Sequence, residues 1–64
     1  MKITLNGEPR ETEAATLAGA LAALGYEGVF ATAVNGDFVP VALREGRALA
    51  EGDRIEVVAP RQGG

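Results

Sequence analysis

The segment Thr16–Gly25, TLAGALAALG, decides the fold because it predicts an amphipathic helix in a chain otherwise patterned as strands. Apolar residues recur at positions 17, 20, 21 and 24, the i, i+3, i+4, i+7 spacing of one helix face. Thr16 is a favourable N-cap, and Gly25 stands where a glycine commonly ends a helix. Burying the three leucines of this face contributes about 1.5–3 kcal/mol each. We therefore interpret the face as core and not as a cofactor site.

Before the helix, the sequence predicts a β-hairpin. Lys2–Asn6 alternates polar and apolar residues, which is typical of a half-buried strand. Asn6-Gly7 is a strong signal for a tight hairpin turn, although the pair could also form a simple loop. The return segment, Glu8–Thr12, carries a proline and several charges, as an exposed edge strand does.

After the helix, the sequence predicts a second hairpin followed by a last strand. Val29–Val34 is apolar enough for a central strand, and Asn35-Gly36 is a second turn signal. Phe38 and Val39 are expected in the core, and Pro40 is expected to end their strand. The remaining segments are interpreted as a short extended piece (Val41–Leu43), a solvated turn (Arg44–Arg47), an isolated anchor (Leu49), a turn (Glu51–Asp53) and a strand with Ile55 and Val57 on one face (Arg54–Val58).

The predicted order is β-β-α-β-β-β, with one helix packed across a mixed sheet of four to five strands. A single helix cannot cover both faces of a sheet, so a two-layer α+β domain follows. The apolar last strand is expected in the centre, beside the first. We predict one domain at residues 1–58 and a flexible C-terminal tail at residues 59–64, since chain ends are usually mobile unless held.

Composition excludes several function classes. The 64 residues contain no cysteine and no histidine, which rules out disulfides, thiolate or imidazole metal sites and Cys or His nucleophiles. The net charge of −3 argues against a nucleic-acid surface and favours a basic protein partner. The nine carboxylates are scattered, so we expect neither a metal site nor an enzyme active site. Without an apolar leader or membrane span in the sequence, we expect a cytoplasmic protein.

The tail, Ala59–Gly64 (APRQGG), is interpreted as a substrate for chemistry at its carboxylate. Gly63-Gly64 lacks Cβ atoms, so this backbone can enter a narrow slot and bring its last carbonyl carbon close to a nucleotide and then a nucleophile. Pro60 cannot continue a strand ladder. Arg61, like Arg54, could pair with a partner's carboxylates or with phosphates, but Arg54 is interpreted as a solubilising residue on a strand face.

Taken together, the chain resembles the ThiS family of small sulfur carrier proteins of thiamine biosynthesis, which have the ubiquitin-like β-grasp fold. The resemblance runs the whole length, and its most specific parts are Asn35, Pro40, Gly52-Asp53 and Gln62-Gly63-Gly64. One position departs from the pattern: many relatives carry a basic residue directly after the proline, where this chain has Val41.

The resemblance implies a carrier cycle in which the protein is a co-substrate, not an enzyme, and has no cofactor of its own. A ThiF-like adenylating enzyme would use Mg-ATP to activate the Gly64 carboxylate. A sulfur donor such as a cysteine desulfurase would convert it to a thiocarboxylate, and thiazole synthase would accept the sulfur. Gly63 would allow the tail to approach the partner's active site closely, and Arg61 and Gln62 would make the tail long enough to enter it. Phe38 and Val39 would belong either to the partner-docking surface or to the core.

Three alternatives stay open from the sequence. Similar carriers serve molybdopterin synthesis or tRNA thiolation and share the Gly-Gly end. A ubiquitin-like modifier would be joined to lysines through Gly64, which would give conjugates of higher mass. A β-grasp binding module with an inert tail would keep its function when Gly63-Gly64 is deleted.

Overall fold

The computed structural model describes residues 1–59, which contain one α-helix and five strands. The strands are β1 (Lys2–Leu5), β2 (Glu8–Glu11), β3 (Ala31–Val34), β4 (Asp37–Val39) and β5 (Arg54–Val58), and the helix is α1 (Leu17–Ala23). They confirm the predicted order and the α+β class. The predictions for Pro60–Gly64 lie outside the described residues, and the division into a domain and a flexible tail stays a prediction.

Helix α1 begins and ends as the sequence predicts. Thr16 has extended backbone angles, and its Oγ1 accepts a hydrogen bond from the Gly19 amide at 3.2 Å, which caps the first turn. Gly25 follows with a φ of 88°, a left-handed conformation that glycine adopts at less cost than other residues. Leu17, Ala20 and Leu21 are buried against the sheet. The helix therefore covers one face of the sheet with the predicted stripe.

Strand β5 lies at the centre of the sheet, whose order is β2-β1-β5-β3-β4. It runs parallel to β1 and antiparallel to β3, so the sheet is mixed and its last strand lies beside its first, as predicted. Ile55 and Val57 face the helix, whereas Val58 is exposed on the opposite face. The buried core is completed by Ile3, Leu5, Val34, Val39 and Leu49.

Two asparagine-glycine turns hold the hairpins to β5. Asn6 and Asn35 have φ values of 51° and 53°, and the glycines after them are also left-handed, as a type I′ turn requires. The Asn6 Oδ1 accepts the Val57 amide at 2.8 Å, and the Asn35 Oδ1 accepts the Arg54 amide at 2.9 Å. Each turn therefore supplies both the sharp reversal and a side-chain hydrogen bond that fixes the position of the central strand.

The predicted strand at 29–34 and the predicted core position of Phe38 need correction. β3 begins only at Ala31, because Gly28 turns the chain with a φ of 90° and leaves Val29 82% exposed. Val39 is buried as expected, but Phe38 is 69% exposed. Neighbouring strand residues point to opposite faces, and the helix covers only the face that Val39 occupies.

The segment after Pro40 also differs from its prediction. Val41–Leu43 forms a 3₁₀ helix and not an extended piece, with the Leu43 amide donating to the Pro40 carbonyl at 2.9 Å. Arg44, expected in a solvated turn, is buried at 8% exposure. Its Nε donates to the Thr32 Oγ1 at 3.0 Å because the 3₁₀ turn carries it back onto β3. Within residues 1–59 no helix is long and apolar enough to cross a membrane.

Asp53 ends the predicted turn and connects it to the second hairpin. Its Oδ2 accepts the Ala50 amide at 2.8 Å, and its Oδ1 accepts the Asn35 Nδ2 at 2.9 Å. The Ala50 hydrogen bond, then the Asn35 hydrogen bond and the charge of Arg47 hold the pKa of Asp53 below its ordinary value of 3.8, against an opposing effect of burial. The ionised carboxylate therefore stabilises the folded state.

Replacing Asp53 with Asn is expected to remove part of the acid dependence of stability. The contribution of a carboxylate with a lowered folded pKa is complete above its unfolded pKa, about 4, and is lost as pH falls through the folded pKa. Asp53→Asn also replaces one acceptor oxygen with an NH₂ group, which then faces the N–H donor that the oxygen had accepted from. Urea unfolding should show a destabilised variant at pH 7 and a difference in stability from the parent that narrows as the pH falls below about 4. Asp37→Asn, at an exposed carboxylate, is the control, and an equal deficit at neutral and acid pH would contradict the expectation.

Candidate functional site

The face of the sheet opposite the helix carries an apolar surface around Phe38. Pairing places Ala33 beside Phe38 on one side and beside Glu56 on the other, and Ala31 beside Val58. Small alanines on β3 leave space between the larger side chains of β4 and β5. The result is a shallow, largely apolar surface at the end of the sheet where β5 finishes.

Most of the large exposed apolar side chains of residues 1–59 gather here. They are Val29, Phe38, Val41, Leu43 and Val58, and within the described residues the remaining member of this class is Met1. Val29 and Val41 come from the loops on either side of the second hairpin, and Val58 comes from the central strand. Clustered exposed apolar side chains mark interaction surfaces, whereas single ones are ordinary.

A groove of about 380 Å³ runs through this surface, which we call the apolar groove. Val29, Phe38, Val41 and Val58 form its walls, and Phe30, Ala31 and Arg44 complete its lining. Ala59 lines the same groove, so the chain continues into Pro60 directly from its wall. A partner that takes hold of residues after Ala59 must therefore come close to the groove.

Phe38 separates the apolar groove from a second depression of about 360 Å³, which Leu43, Gly46 and Arg47 line on its other side. The aromatic ring is thus exposed on two sides and forms a ridge that a partner can contact from either side. Large aromatic side chains in such positions commonly supply much of the binding energy of a protein interface.

Arg44 brings a positive charge to the apolar groove. Its guanidinium lies 4.5 Å from the centre of the Phe30 ring, and its Nη2 donates to the Phe30 carbonyl. The Phe30 ring in turn packs against Tyr26, with ring centres 5.7 Å apart. The cation–π contact and the two hydrogen bonds compensate for removing the guanidinium from water.

The described lining of the apolar groove suits binding of apolar groups. Apart from Arg44, the side chains that line the groove in the described structure are apolar. Within residues 1–59, no three potential metal-ligating side chains cluster anywhere. What the groove can do is accept apolar side chains of a partner and, through Arg44, a negative group.

Sequence reasoning identified only part of this site. Arg61, Gln62, Gly63 and Gly64 lie outside the described residues, so their roles stay predictions. Phe38 does lie on the exposed surface, whereas Val39 belongs to the core. Val29, Leu43 and Arg44 were missed, and Val41 was noted only as a departure from the family pattern. The alternation of β5 was the one available signal for Val58, because it placed that residue on the face opposite Ile55 and Val57.

Comparisons with known proteins agree with this architecture. The family model of the ThiS family matches residues 3–64. The crystal structure of the thiamine biosynthesis protein ThiS from Geobacter metallireducens superposes with a TM-score of 0.82, at 23% identity and over 100% of both chains. The NMR solution structure of a thiamine biosynthesis protein from the same organism gives 0.79, at 23% identity, over 100% of this chain and 88% of the other. Among curated proteins no sequence matches. The structural likeness confirms the predicted β-grasp fold.

Proposed function

The chain belongs to the ThiS family, and from this premise we propose that it is a sulfur carrier of thiamine biosynthesis. The observation that carries the proposal is the family match over residues 3–64, which includes Gly63-Gly64. The position of the apolar groove supports it, because Ala59 lines the groove and connects it to the proposed reactive end. In this proposal the protein is the substrate of its partner enzymes.

The proposed chemistry takes place at the Gly64 carboxylate. A carboxylate oxygen attacks the α-phosphorus of Mg-ATP in a ThiF-like adenylating enzyme, and pyrophosphate leaves. The terminal sulfur of a persulfide, formed by a cysteine desulfurase, then attacks the carbonyl carbon and expels AMP. Cleavage of the resulting S–S bond by a thiol leaves the thiocarboxylate, which gives its sulfur to thiazole synthase. Gly63 and Gly64 suit these steps because no side chain crowds the reacting carbon.

The apolar groove and the Phe38 ridge are the proposed docking surface for these enzymes. Arg61 and Gln62 would extend the chain from this surface into a partner's active site. Burial of a mostly exposed phenylalanine on docking removes a large apolar area from water, which favours association.

Intact mass of the untagged protein, purified from its own cells grown without thiamine, tests the proposed function. A fraction heavier by the exchange of one oxygen for sulfur, mapped to Gly64, is the expected result. Only unmodified protein under starvation, or conjugates of much higher mass, would contradict it. The modification should also decline when thiamine is supplied, and a sulfur-bearing fraction that ignores thiamine would point to a different sulfur acceptor.

Phe38→Ala is expected to weaken binding to the adenylating enzyme by about 2 kcal/mol, or roughly thirtyfold in Kd, as at a buried interface aromatic. The melting temperature should change little, because the side chain is 69% exposed in the free protein. Titration calorimetry with the purified enzyme measures the Kd. Ala22→Ser, at an exposed helix position away from the groove, is the control. Equal affinities for Phe38→Ala and the parent would remove Phe38 from the docking surface.

A further inference from the structure

Arg44 is a buried cation that no carboxylate of residues 1–59 neutralises. Across this part of the chain, the one ion pair joins Arg10 to Glu8, at the opposite edge of the sheet. The partners of Arg44 are a carbonyl, a hydroxyl and an aromatic ring, all of them uncharged. Lys2, Arg47 and Arg54 also make no ion pair within residues 1–59, but among these cations Arg44 alone is buried, so its charge is the least screened by water.

The uncompensated charge faces the apolar groove. Arg44 is a lining residue, and it is the one charged side chain among those that line the groove in the described structure. Hydrogen bonds within residues 1–59 occupy its Nε and Nη2 but not its Nη1. The apolar lining offers the guanidinium no competing carboxylate. A partner that covered the groove would remove the water around Arg44 and so strengthen its attraction for an anion.

We propose that the ThiF-like adenylating enzyme docks on the apolar groove through an apolar side chain and an adjacent Asp or Glu whose carboxylate pairs with Arg44. The inference rests on the proposed function, because the groove lies where the tail begins. It adds the chemistry of the partner surface: one carboxylate within an otherwise apolar contact.

A side-chain carboxylate fits this site better than a phosphate does. Phosphate groups are bound by several converging donors, such as a backbone nest or a bidentate arginine fork. Here two of the three guanidinium nitrogens already serve Thr32 and Phe30, and the other lining residues are apolar. The three N–H groups that remain belong to a single cation, and no other charged side chain lines the groove in the described structure, so they match the one charge of a carboxylate and the aliphatic stem that carries it.

Arg44→Gln tests the inference against Arg54→Gln, which removes the same charge from an exposed position on β5. With the ThiF-like adenylating enzyme, Arg44→Gln is expected to raise the Kd at least about thirtyfold, and Arg54→Gln less than about threefold. Adenylation at saturating carrier should persist in both, so KM changes and kcat does not. Equal effects of the two variants would overturn the inference while leaving the proposed function intact, whereas a parent protein that is not adenylated at all would overturn the proposed function.

A double-mutant cycle identifies the group that Arg44 meets. Each exposed Asp and Glu of the enzyme's carrier-binding surface is replaced by its amide and titrated with the parent and with Arg44→Gln. One of them should lose affinity with the parent and lose little more with Arg44→Gln, since coupled residues are not additive. If no carboxylate couples to Arg44, or if the effect of Arg44→Gln appears only with ATP present, the anion is not a side-chain carboxylate and the inference fails.

Arg44→Gln could also disturb the 3₁₀ turn, so a measurement on the unaltered protein accompanies it. In the parent labelled with ¹⁵N-arginine, the guanidinium resonances of Arg44 should shift and exchange more slowly with water when the enzyme is added. Those of Arg54 should not. Unchanged Arg44 resonances in a saturated complex would overturn the inference whatever the stability of the variant.

Discussion

A carrier extended by one alanine after Gly64 is expected to lose adenylation completely and to keep the melting temperature of the parent. The extension converts the Gly64 carboxylate into a peptide amide, and the new terminal carboxylate belongs to an alanine whose methyl group lies where glycine left space. Misplacing a reacting atom by even about 1 Å can cost a hundredfold in rate, and this extension moves it by a whole residue. The fold should not respond, because the extension lies beyond residues 1–59, which contain the described core.

ATP–pyrophosphate exchange with the ThiF-like enzyme measures this loss, and a melting curve measures the fold. The matched control inserts the same alanine between Gln62 and Gly63, which lengthens the chain equally but restores the Gly-Gly end. We expect that control to keep measurable exchange, since it preserves the chemistry of the last two residues. If the chain with the terminal alanine supported normal ATP–pyrophosphate exchange, the interpretation of Gly64 as the reacting residue would be wrong.

Much of the fold could be predicted because its signals are local. Thr16 and Gly25 delimit the helix through contacts within a few residues of themselves. The two asparagine-glycine turns fix the hairpins in the same way, because left-handed φ values at both central residues suit few other sequences. The central place of β5 followed from its apolar inner face.

The errors at Phe38 and Arg44 have a common cause, which is contact between parts of the chain far apart in sequence. Alternation shows that Phe38 and Val39 point to opposite faces but not which of the two faces the helix covers. Arg44 looks like a turn residue among Glu45 and Gly46, and its burial arises only because the 3₁₀ turn returns it to Thr32 on β3. A sequence pattern over a few neighbouring residues does not show that Arg44 contacts Thr32.

The apolar groove was out of reach of the sequence for the same reason, whereas the reactive tail was not. The walls of the groove come from two loops and two strands, at positions 29, 38, 41 and 58. No spacing rule connects such positions before the sheet order is known. Gly63-Gly64, in contrast, is a contiguous signal that depends on no folded partner, and its interpretation came from a chemical argument together with the family resemblance.

Leu21→Ala is expected to destabilise the protein by about 2–5 kcal/mol, the range for truncating a buried leucine to alanine. Leu21 is 3% exposed and lies in the core between α1 and the sheet. At roughly 0.05–0.15 kcal/mol per residue, a domain of this size has a total stability of only several kcal/mol. The substitution should therefore unfold a large fraction of the protein at temperatures well below the melting temperature of the parent, and adenylation should fail in proportion to the unfolded fraction.

Urea unfolding followed by circular dichroism measures this effect against Leu43→Ala, the same truncation at a leucine that is 60% exposed. A cavity forms only where surrounding atoms cannot reach the removed methyl groups, so the Leu43 variant should lose less than about 1 kcal/mol. An unchanged urea midpoint for Leu21→Ala would refute the packing of α1 on the sheet. Equal losses for the two leucines would show that helix propensity or unfolded-state effects, and not burial beneath α1, govern the stability of this domain.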